Sequence, residues 1–391
     1  MQAVQVVEYH KPYRINTVPV PKDLGPYDLL VKIAVASYCH TDGMVVDGVL
    51  GGKLPITASH EGAGTVVAVG SAVAAAANAA TADSNICFRV GDRVMCGMFL
   101  GACGRCVACT TGPECERQYC TGGYEGSPGA FDADGYFAAY ARTDARWTTH
   151  LPDAVSFLAA APLACAGRTV WRAVQKAILK ADLKPGAWLA IVGAGGGLGH
   201  LGIQFARAAG LRVVGIDARD AGLQAAREAG AEAVLDARTG QTAVVAAVRV
   251  AMGAPEGSAV NTTRIQTGDG GADATLLLSD APTAAALACA VTRIHGTVVV
   301  AAQPDTLVIP FQEIVMRDVQ IVGTLITSPG ESQAMVDFIA KHGVHVQMKT
   351  FDGLDQIEAL LHHVHTGAIK GKAGIIVDAE QLKNEKVGKT D

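Results

Sequence analysis

The sequence predicts an α/β protein with a doubly wound parallel sheet and more than one domain. The chain has 391 residues, which is longer than a single compact core usually organises. Half of the residues are hydrophobic and 18% are charged, a balance that favours large buried cores and excludes a disordered chain. Near residue 165 the pattern changes from short β-like runs to apolar strands that alternate with helices.

The elements follow in order along the chain. Alternating apolar and polar residues predict a strand over 1–8, and β-like runs follow at 29–36 and 64–70. Beyond residue 185 the pattern predicts strand 188–192, helix 199–209 and strand 211–216. Further strand candidates lie at 272–278, 296–302 and 320–324. The Ala-rich residues 72–85 and the Gly/Thr/Asp-rich residues 253–271 look like insertions, and neither has an assigned function.

Charge and composition exclude several partners. The net charge of -5 and the lack of a basic run argue against nucleic acid. The N-terminus has neither a basic nor a long apolar region, so it is not a signal peptide. Residues 187–206 carry no Lys, Arg, Asp or Glu, but six glycines interrupt them, which favours strand, turn and helix over a membrane span. We expect a cytoplasmic protein whose ten cysteines serve metal binding or catalysis rather than disulfides.

A glycine-rich turn between the strand at 188–192 and the next helix predicts a dinucleotide site. Glycine lets the backbone turn tightly and approach a pyrophosphate, which the N-terminus of the helix attracts. Asp217 closes the next strand, where a carboxylate binds ribose hydroxyls and favours NAD over NADP, although Arg219 nearby softens that preference. The alternative is a turn that serves packing alone. The turn residues are Gly193, Gly195, Gly196, Gly197, Leu198 and Gly199.

Two sets of cysteine and histidine residues predict two zinc sites. Cys103, Cys106 and Cys109 follow one another at three-residue spacing, which is typical of a closed structural site with Cys115 or Cys120 as the fourth ligand. Cys39, His60 and Cys165 together have the composition of a catalytic site that keeps one position open. Buried free thiols and ordinary core residues are the alternatives for the two sets.

These motifs occur together in one known family. They are Cys39-His40-Thr41-Asp42, Ser59-His60-Glu61-Gly62, Gly91–Val94, the cysteine lobe, Pro162–Thr169 and the turn at 192–199 that continues to Asp217. In this order the chain resembles the zinc-containing medium-chain alcohol dehydrogenases, most of all their fungal branch, over nearly its whole length. The resemblance implies a GroES-like β-rich catalytic domain, at 1–163 and 326–391, into which a Rossmann domain is inserted at 164–325. It also places the structural zinc lobe at about 97–122, and implies a homodimer or homotetramer.

The resemblance also assigns roles to single residues. Cys39, His60 and Cys165 would hold the catalytic zinc, with Glu61 as an alternate ligand and Asp42 orienting His60. Thr41 would take the proton of the substrate hydroxyl. His40 would lie near the pyrophosphate and Thr169 against the nicotinamide.

The implied activity is that of a zinc- and NAD-dependent alcohol dehydrogenase or aldehyde reductase. A zinc-bound alkoxide passes a hydride to the nicotinamide, and in reverse zinc polarises a carbonyl. A polyol or aromatic-alcohol dehydrogenase is the alternative among enzymes. A catalytically idle NAD-binding or redox-sensing protein would require a broken inner zinc shell, and Cys39, His60, Glu61 and Cys165 are all present.

The chain departs from the family pattern in three places. Met44 stands where yeast-type enzymes have a relay histidine, five residues after the first zinc cysteine. The gap from Cys109 to Cys115 is two residues shorter than usual, yet Cys115 is favoured over Cys120 because Thr121 and Gly122 align with a Thr-Gly pair of the family. The stretches 44–51 and 95–100 contain no tryptophan, so the substrate is expected to be larger than ethanol.

The remaining cysteines and histidines are given structural interpretations. The predicted helix at 355–366 carries His362, His363 and His365, which we interpret as a solvated face rather than a metal site. The thiols expected to have no ligand role are Cys87, Cys96, Cys120 and Cys289.

Overall fold

The computed structural model describes residues 1–78, 86–111, 116–253, 270–367 and 369–385. The chain forms two compact units. The first comprises residues 1–168, 327–366 and 372–391, and the second comprises 169–326 and 367–371. The sequence-based boundaries of the inserted domain were 164 and 325.

Strands and helices are numbered here along the described chain. The strands are β1 Gln2–Val6, β2 Arg14–Thr17, β3 Asp28–Tyr38, β4 Ile56–Thr57, β5 Glu61–Val69, β6 Arg93–Met95, β7 Ser127–Pro128, β8 Asp132–Ala133, β9 Tyr140–Asp144, β10 Thr149–His150, β11 Trp188–Val192, β12 Arg212–Asp217, β13 Ala233–Asp236, β14 Ala272–Leu277, β15 Thr292–Val300, β16 Gln320–Gly323, β17 Met348–Asp352 and β18 Lys372–Ile376. The helices are α1 His40–Val46, α2 Ser71–Asn78, α3 Val107–Thr110, α4 Phe157–Pro162, α5 Arg168–Lys180, α6 Gly199–Ala208, α7 Asp220–Glu228, α8 Gln241–Ala251, α9 Ala284–Val291, α10 Phe311–Val315, α11 Pro329–His342, α12 Ile357–His365 and α13 Ala379–Lys383.

The first unit is built around a mostly antiparallel sheet in the order β10-β6-β5-β3-β18-β17, with β9 also paired to β3. Its core side chains are large and fully buried, among them Leu29, Ile33, Phe88, Phe137 and Phe157. The late strand β18 pairs antiparallel with β3, so that residues far apart in the chain meet in one sheet. A second sheet of this unit joins β2, β1 and β4.

The second unit contains a six-stranded sheet in the order β13-β12-β11-β14-β15-β16. All of its neighbouring strands run parallel. Apolar residues line its strands because helices cover a parallel sheet of this kind on its faces. Counted from its first strand, β11, the order is 3-2-1-4-5-6, the arrangement of doubly wound dinucleotide-binding sheets, in which a ligand binds where the strand order reverses.

Most predicted elements match the observed ones closely. The predicted strand 188–192 coincides with β11, and the predicted helix 199–209 coincides with α6 to within one residue. Strand β15 starts earlier than the predicted residue 296, at Thr292, because an irregular register next to Gly296 precedes its regular part. Much of both suspected insertions, 79–85 and 254–269, lies outside the described residues. Within the described chain, no helix is long and apolar enough to span a membrane.

Candidate functional site

Three strands of the first unit converge on a buried carboxylate. Ser37 of β3 stands opposite Glu61 of β5 and also opposite Gly374 of β18. Lys372 lies two residues before Gly374, and side chains two apart along a strand share a face. The result is an ion pair in which Lys372 Nζ lies 2.7 Å from Glu61 Oε2, with 5% of Lys372 exposed and Glu61 fully buried.

The predicted catalytic ligands gather beside this ion pair. The Sγ atoms of Cys39 and Cys165, a ring nitrogen of His60 and a carboxylate oxygen of Glu61 all lie within 4.8 Å of one another. Cys39 precedes α1, and His60 directly precedes β5. Cys165 lies in a single π-helical turn, Leu163–Gly167, a rare geometry that is frequent at functional sites. The structure thus brings together residues spread from position 39 to position 165.

The Asp42 carboxylate organises two of these ligands. Asp42 Oδ2 accepts a hydrogen bond from the backbone N–H of Cys39 at 2.7 Å, and Oδ1 accepts one from Ser59 N–H at 3.1 Å. Oδ1 also lies 3.5 Å from His60 Nδ1. Ser59 has a φ of 72°, a backbone conformation that is uncommon outside glycine, and its bond to Asp42 helps hold it. Asp42 is therefore placed to fix both the helix start and the imidazole.

The His60 imidazole is fully buried, and neither ring nitrogen makes a hydrogen bond within the described part of the chain. Its 3.5 Å contact with Asp42 is electrostatic. Burial alone would lower its pKa, but the Asp42 carboxylate and the Cys39 thiolate outweigh that and raise the pKa well above its ordinary value. Buried polar atoms are normally satisfied, so an unsatisfied imidazole among thiols fits the role of a metal ligand.

Burial and neighbouring groups also shift the pKa values of Cys39 and Glu61. A hydrogen bond from Cys165 lowers the pKa of Cys39 well below its ordinary value, and the charge of Lys372 adds to that effect. Burial raises the pKa of Glu61 to about 7 even though Lys372 opposes the shift. This is the electrostatic environment expected where several anionic ligands are assembled for a cation.

Glu61 makes several contacts besides those with the thiols. Its carboxylate accepts hydrogen bonds from the Ser37 hydroxyl and from the backbone N–H of Ala166, the latter at 3.2 Å. Lys372 Nζ also lies 3.0 Å from Oε1. Sequence reasoning missed Lys372 because it is 311 positions away from Glu61. Its local signal is a single lysine at the start of an apolar strand.

Helix α1 carries three residues to which the sequence drew attention: Thr41, Met44 and His40. Thr41 is half-buried, and its Oγ1 is 3.9 Å from Cys39 Sγ. Met44, at the position of the family's relay histidine, is also half-buried one turn further along. His40, the first residue of the helix, is exposed.

The cysteine lobe forms a second group of four thiols: Cys103, Cys106, Cys109 and Cys120. Their sulfurs lie within 4.8 Å of one another. Backbone N–H groups point at them, as Cys106 N–H donates to Cys103 Sγ at 3.3 Å and Cys103 N–H to Cys120 Sγ at 3.4 Å. A hydrogen bond from the Thr121 backbone lowers the pKa of Cys106 to about 5.

The fourth thiol differs from the one favoured by the sequence. Cys120 was the less favoured candidate and was also counted among the thiols without a role, but its Sγ lies 3.9 Å from that of Cys106. A short 3₁₀ turn, Arg117–Tyr119, directs the chain back toward the other three cysteines. The preferred candidate, Cys115, lies outside the described residues. Cys115 was favoured because Thr121 and Gly122 align with a Thr-Gly pair of the family, and that choice stays a prediction.

The glycine turn of the second unit follows β11 at the point where the strand order reverses. Gly193 has a φ of 88°, which favours glycine. A side chain at Gly199 would meet the backbone oxygen of Gly193 at 2.3 Å, whereas one at Gly196 would find its nearest neighbour at 3.5 Å. Gly195, Gly197 and Leu198 complete the turn. Close packing therefore explains why position 199 is glycine, whereas it does not explain the glycine at position 196.

Asp217 ends the neighbouring strand β12 and holds this turn in place. Its Oδ2 accepts a hydrogen bond from Gly195 N–H at 2.9 Å, and its Oδ1 accepts bonds from the backbone N–H groups of Ala218 and Arg219. Arg219 Nε lies 3.5 Å from the same oxygen. Thr169, the expected nicotinamide contact, belongs to this unit and is half-buried.

The C-terminal histidines lie apart from both thiol groups. His362 and His365 are exposed on α12 and line a cavity of about 570 Å³ together with His10, Asp47 and Glu358. Among the described residues they do not join a metal-ligand group. The solvated helix face predicted from the sequence agrees with their exposure.

Comparisons with known proteins agree with this geometry. Residues 25–153 match the alcohol dehydrogenase GroES-like domain, and residues 197–341 match the zinc-binding dehydrogenase domain. An alcohol dehydrogenase of Geobacillus stearothermophilus is 31% identical over 97% of this chain and 100% of its own. The chain belongs to the zinc-binding medium-chain alcohol dehydrogenase family. This membership and the two sheets confirm the predicted fold class, a GroES-like domain combined with a Rossmann-like parallel sheet.

Other members of this alcohol dehydrogenase family are similarly related to the chain. Alcohol dehydrogenase 1 of Emericella nidulans is 32% identical over 95% of this chain and 97% of its own. The crystal structure of the alcohol dehydrogenase from the archaeon Aeropyrum pernix has a TM-score of 0.78 and 28% identity over 96% of this chain and 100% of its own. Bacterial and fungal relatives are about equally similar, so a specific place in the fungal branch is not confirmed.

The buried Glu61–Lys372 pair predicts a specific stability effect. Lys372→Met leaves a buried carboxylate without its cation, which should lower the free energy of unfolding by about 3 kcal/mol. Lys32→Met is the matched control, because Lys32 pairs with Asp378 at 2.5 Å but 41% of its side chain is exposed, and it should cost about 1 kcal/mol or less.

Urea unfolding of both lysine variants, and of the double variant Glu61→Gln/Lys372→Met, measures the effect. The double variant should recover much of the loss because it removes the uncompensated charge. Equal losses for Lys372→Met and Lys32→Met would contradict a critical role for this pair.

Proposed function

We propose that this chain is a zinc- and NAD-dependent alcohol dehydrogenase or aldehyde reductase. The observation that carries the proposal is the convergence of Cys39 and Cys165 on the His60 imidazole, whose buried nitrogens make no hydrogen bond among the residues that the structure describes. Two thiolates and one imidazole are the ligand set of an open zinc site, in which a fourth position remains for substrate. Family membership supports the same chemistry.

The chain's own residues suit the handling of such an ion. His60 would bind through Nε2, because Nδ1 faces Asp42. Asp42 would orient the imidazole through Nδ1, and the lowered pKa of Cys39 favours its thiolate form. Glu61 lies within reach as an alternate ligand, and Lys372 restrains its carboxylate. When bound, zinc supplies the Lewis acidity that makes an alcohol acidic and a carbonyl electrophilic.

Thr41 is the residue we assign to proton transfer. Its hydroxyl lies beside Cys39, and a hydroxyl can accept the proton of a substrate alcohol while donating its own. Met44 has no group that can carry that proton further. The onward path of the proton would then run through water or through hydroxyls of the bound cofactor.

The cysteine lobe fits a second, structural zinc. Four sulfurs within 4.8 Å of one another match a closed tetrahedral Cys₄ site. Backbone hydrogen bonds to the sulfurs lower the pKa of Cys103 and of Cys106, which favours the thiolate at these two positions. We assign Cys120 as the fourth ligand.

The second unit fits NAD. The turn after β11 lies at the carboxyl ends of the strands, where the order of the sheet reverses, and α6 directs its N-terminus toward the same place. Asp217 places a carboxylate at the end of β12, where it would repel a 2′-phosphate. His40 and Thr169 are assigned to the pyrophosphate and the nicotinamide on the family resemblance. When bound, NAD would supply the nicotinamide ring as hydride acceptor or donor.

The substrate is proposed to be a primary or secondary alcohol larger than ethanol, or the matching aldehyde. The family's small-alcohol enzymes carry tryptophan in the stretches 44–51 and 95–100, where this chain has half-buried aliphatic side chains such as Leu50 and Met98. The Phe99 ring is occupied by stacking on Tyr124, with ring centroids 4.2 Å apart.

A homo-oligomer is also proposed. Several large apolar side chains around α10 are exposed, with Val308, Phe311 and Val315 each more than half accessible. They lie in the same unit as the edge strand β16. Exposed apolar clusters and open sheet edges on a soluble unit are normally covered, and a second copy of the chain presents a matching surface.

Two zinc ions per chain are expected by elemental analysis. Cys165→Ser should lose one zinc and the activity while staying folded. Cys120→Ser should lose the other zinc and melt at a lower temperature, because a structural zinc contributes folding energy. Cys87→Ser, a thiol outside both groups, is the control and should keep both ions. Two zincs in Cys120→Ser together with one in Cys115→Ser would move the fourth ligand to Cys115.

NAD(H) should be preferred over NADP(H) by tenfold or more in kcat/KM, which is about 1.4 kcal/mol. Asp217→Asn should shrink that ratio because it removes the negative charge. Asparagine is preferable to alanine here because its oxygen still accepts backbone hydrogen bonds from the glycine turn. Equal kcat/KM of the wild type with both cofactors would refute the assignment.

Gly196→Ala separates cofactor binding from packing. A methyl group there meets nothing closer than 3.5 Å in the chain, so the melting temperature should hold while the KM for NAD rises about tenfold through a clash with the pyrophosphate. Gly199→Ala should instead lower the melting temperature, because its methyl group meets backbone at 2.3 Å. An unchanged KM for NAD in Gly196→Ala would contradict the assignment of the pyrophosphate to this turn.

The methionine at position 44 predicts a pH dependence. Without an imidazole relay, alcohol oxidation should fall off below about pH 8 and aldehyde reduction should be less affected. Met44→His should raise oxidation near neutral pH, and Met44→Leu should not. The measurement is kcat from pH 6 to 10 with a deuterated alcohol, so that hydride transfer is known to be visible. Superimposable profiles of the wild type and Met44→His, each with an isotope effect, would show that another group is the relay.

A further inference from the structure

The Cys165 turn departs from regular α-helical hydrogen bonding. A single π-helical turn, Leu163–Gly167, interrupts the regular ladder between α4 and α5. Contacts to the sides of this turn therefore help to fix the position of Cys165. One of them is the bond from Ala166 N–H to the carboxylate of Glu61, at 3.2 Å.

Arg168 directly follows this turn, and its side chain makes hydrogen bonds to another part of the first unit. Its side chain is fully buried, with 0% exposure. One guanidinium nitrogen, Nη2, donates to the backbone oxygen of Trp147 and to Thr149 Oγ1, each at 2.9 Å. Thr149 belongs to β10, which is paired with β6 in the main sheet of the first unit. Arg168 thus links the end of the Cys165 turn to a rigid strand.

This arrangement is unfavourable as simple core packing. The Nε and Nη1 atoms of Arg168 have no hydrogen-bond partner in the described part of the chain. Burial lowers the pKa of Arg168 to about 10, and the groups that oppose this shift are Tyr136 and the thiols of Cys165 and Cys96 rather than a carboxylate. A buried cation without a carboxylate partner costs stability, which an apolar side chain of the same size would avoid.

We propose that Arg168 is a positioning residue for Cys165, and that its two hydrogen bonds to Trp147 and Thr149 hold the thiolate in place for zinc. The inference rests on the proposed catalytic zinc site. Outer contacts of this kind govern how firmly a metal is held, because they fix the ligand before the ion binds.

The test measures zinc release from the purified full-length protein into a chromogenic chelator. The phase that disappears in Cys165→Ser reports the catalytic site. Arg168→Met removes both hydrogen bonds and should speed that phase about tenfold. Thr149→Val keeps the guanidinium and loses one bond, so it should speed the phase by a smaller factor. A cobalt-substituted sample should show a weakened thiolate charge-transfer band in Arg168→Met.

Val73→Ala is the matched control. Val73 of α2 is fully buried in the same unit, and α2 follows β5 at Val69, the opposite end of that strand from Glu61. The variant should lower the melting temperature and leave the zinc-release phase unchanged.

The catalytic zinc site and the positioning role of Arg168 can fail separately in this experiment. A wild-type protein without the Cys165-dependent phase would overturn the catalytic zinc site, and this inference with it. If the phase is present, an unchanged rate in both Arg168→Met and Thr149→Val would overturn the inference alone. So would an unchanged rate in Thr149→Val with a fast Arg168→Met, which would assign the effect to charge. Equal acceleration by Val73→Ala would also overturn the inference, because it would reduce the role of Arg168 to general stability. If Arg168→Met does not fold, Thr149→Val decides.

Discussion

The candidate zinc site depends on the buried carboxylate of Asp42. It accepts hydrogen bonds from the backbone of Cys39 and of Ser59, and it faces the His60 ring at 3.5 Å. These contacts join the start of α1 to the start of β5, two segments that carry different ligands. A buried carboxylate is costly unless backbone donors and a partner group satisfy it. The segments that carry Cys39 and His60 are thus held together by the hydrogen bonds and the charge of one carboxylate.

The strand register adds the second constraint. Ser37, Glu61 and Gly374 stand side by side in β3, β5 and β18, so the C-terminal part of the chain delivers Lys372 to a site whose other residues lie before position 170. Lys372 is a buried cation that pairs with Glu61 and lowers the pKa of Cys39, since a positive charge stabilises neighbouring anions at low dielectric. Arg168 is a second buried cation in the same unit. The region therefore contains more buried charge than an ordinary core.

The sequence carried enough information for the local parts of this account. Strand β11, helix α6 and the glycine turn between them follow from periodicity and turn chemistry, which act over a few residues. The residues of the candidate zinc site were singled out because cysteine and histidine are rare and their chemistry is specific. Lys372 and the Arg168 contacts were missed because they depend on sheet register and burial, which a single sequence does not display. The grouping of Cys120 with the other three cysteines of the lobe follows the turn at Arg117–Tyr119, which motif spacing does not reveal.

The central claim is that the chain holds one zinc through two thiolates and an imidazole, and another through four thiolates. X-ray absorption at the zinc K-edge of the purified protein tests it directly. The account predicts two shells, sulfur near ~2.3 Å with about three sulfurs per zinc on average, and nitrogen or oxygen near ~2.0–2.1 Å. A spectrum with a sulfur shell alone, or with nitrogen and oxygen alone, would contradict it.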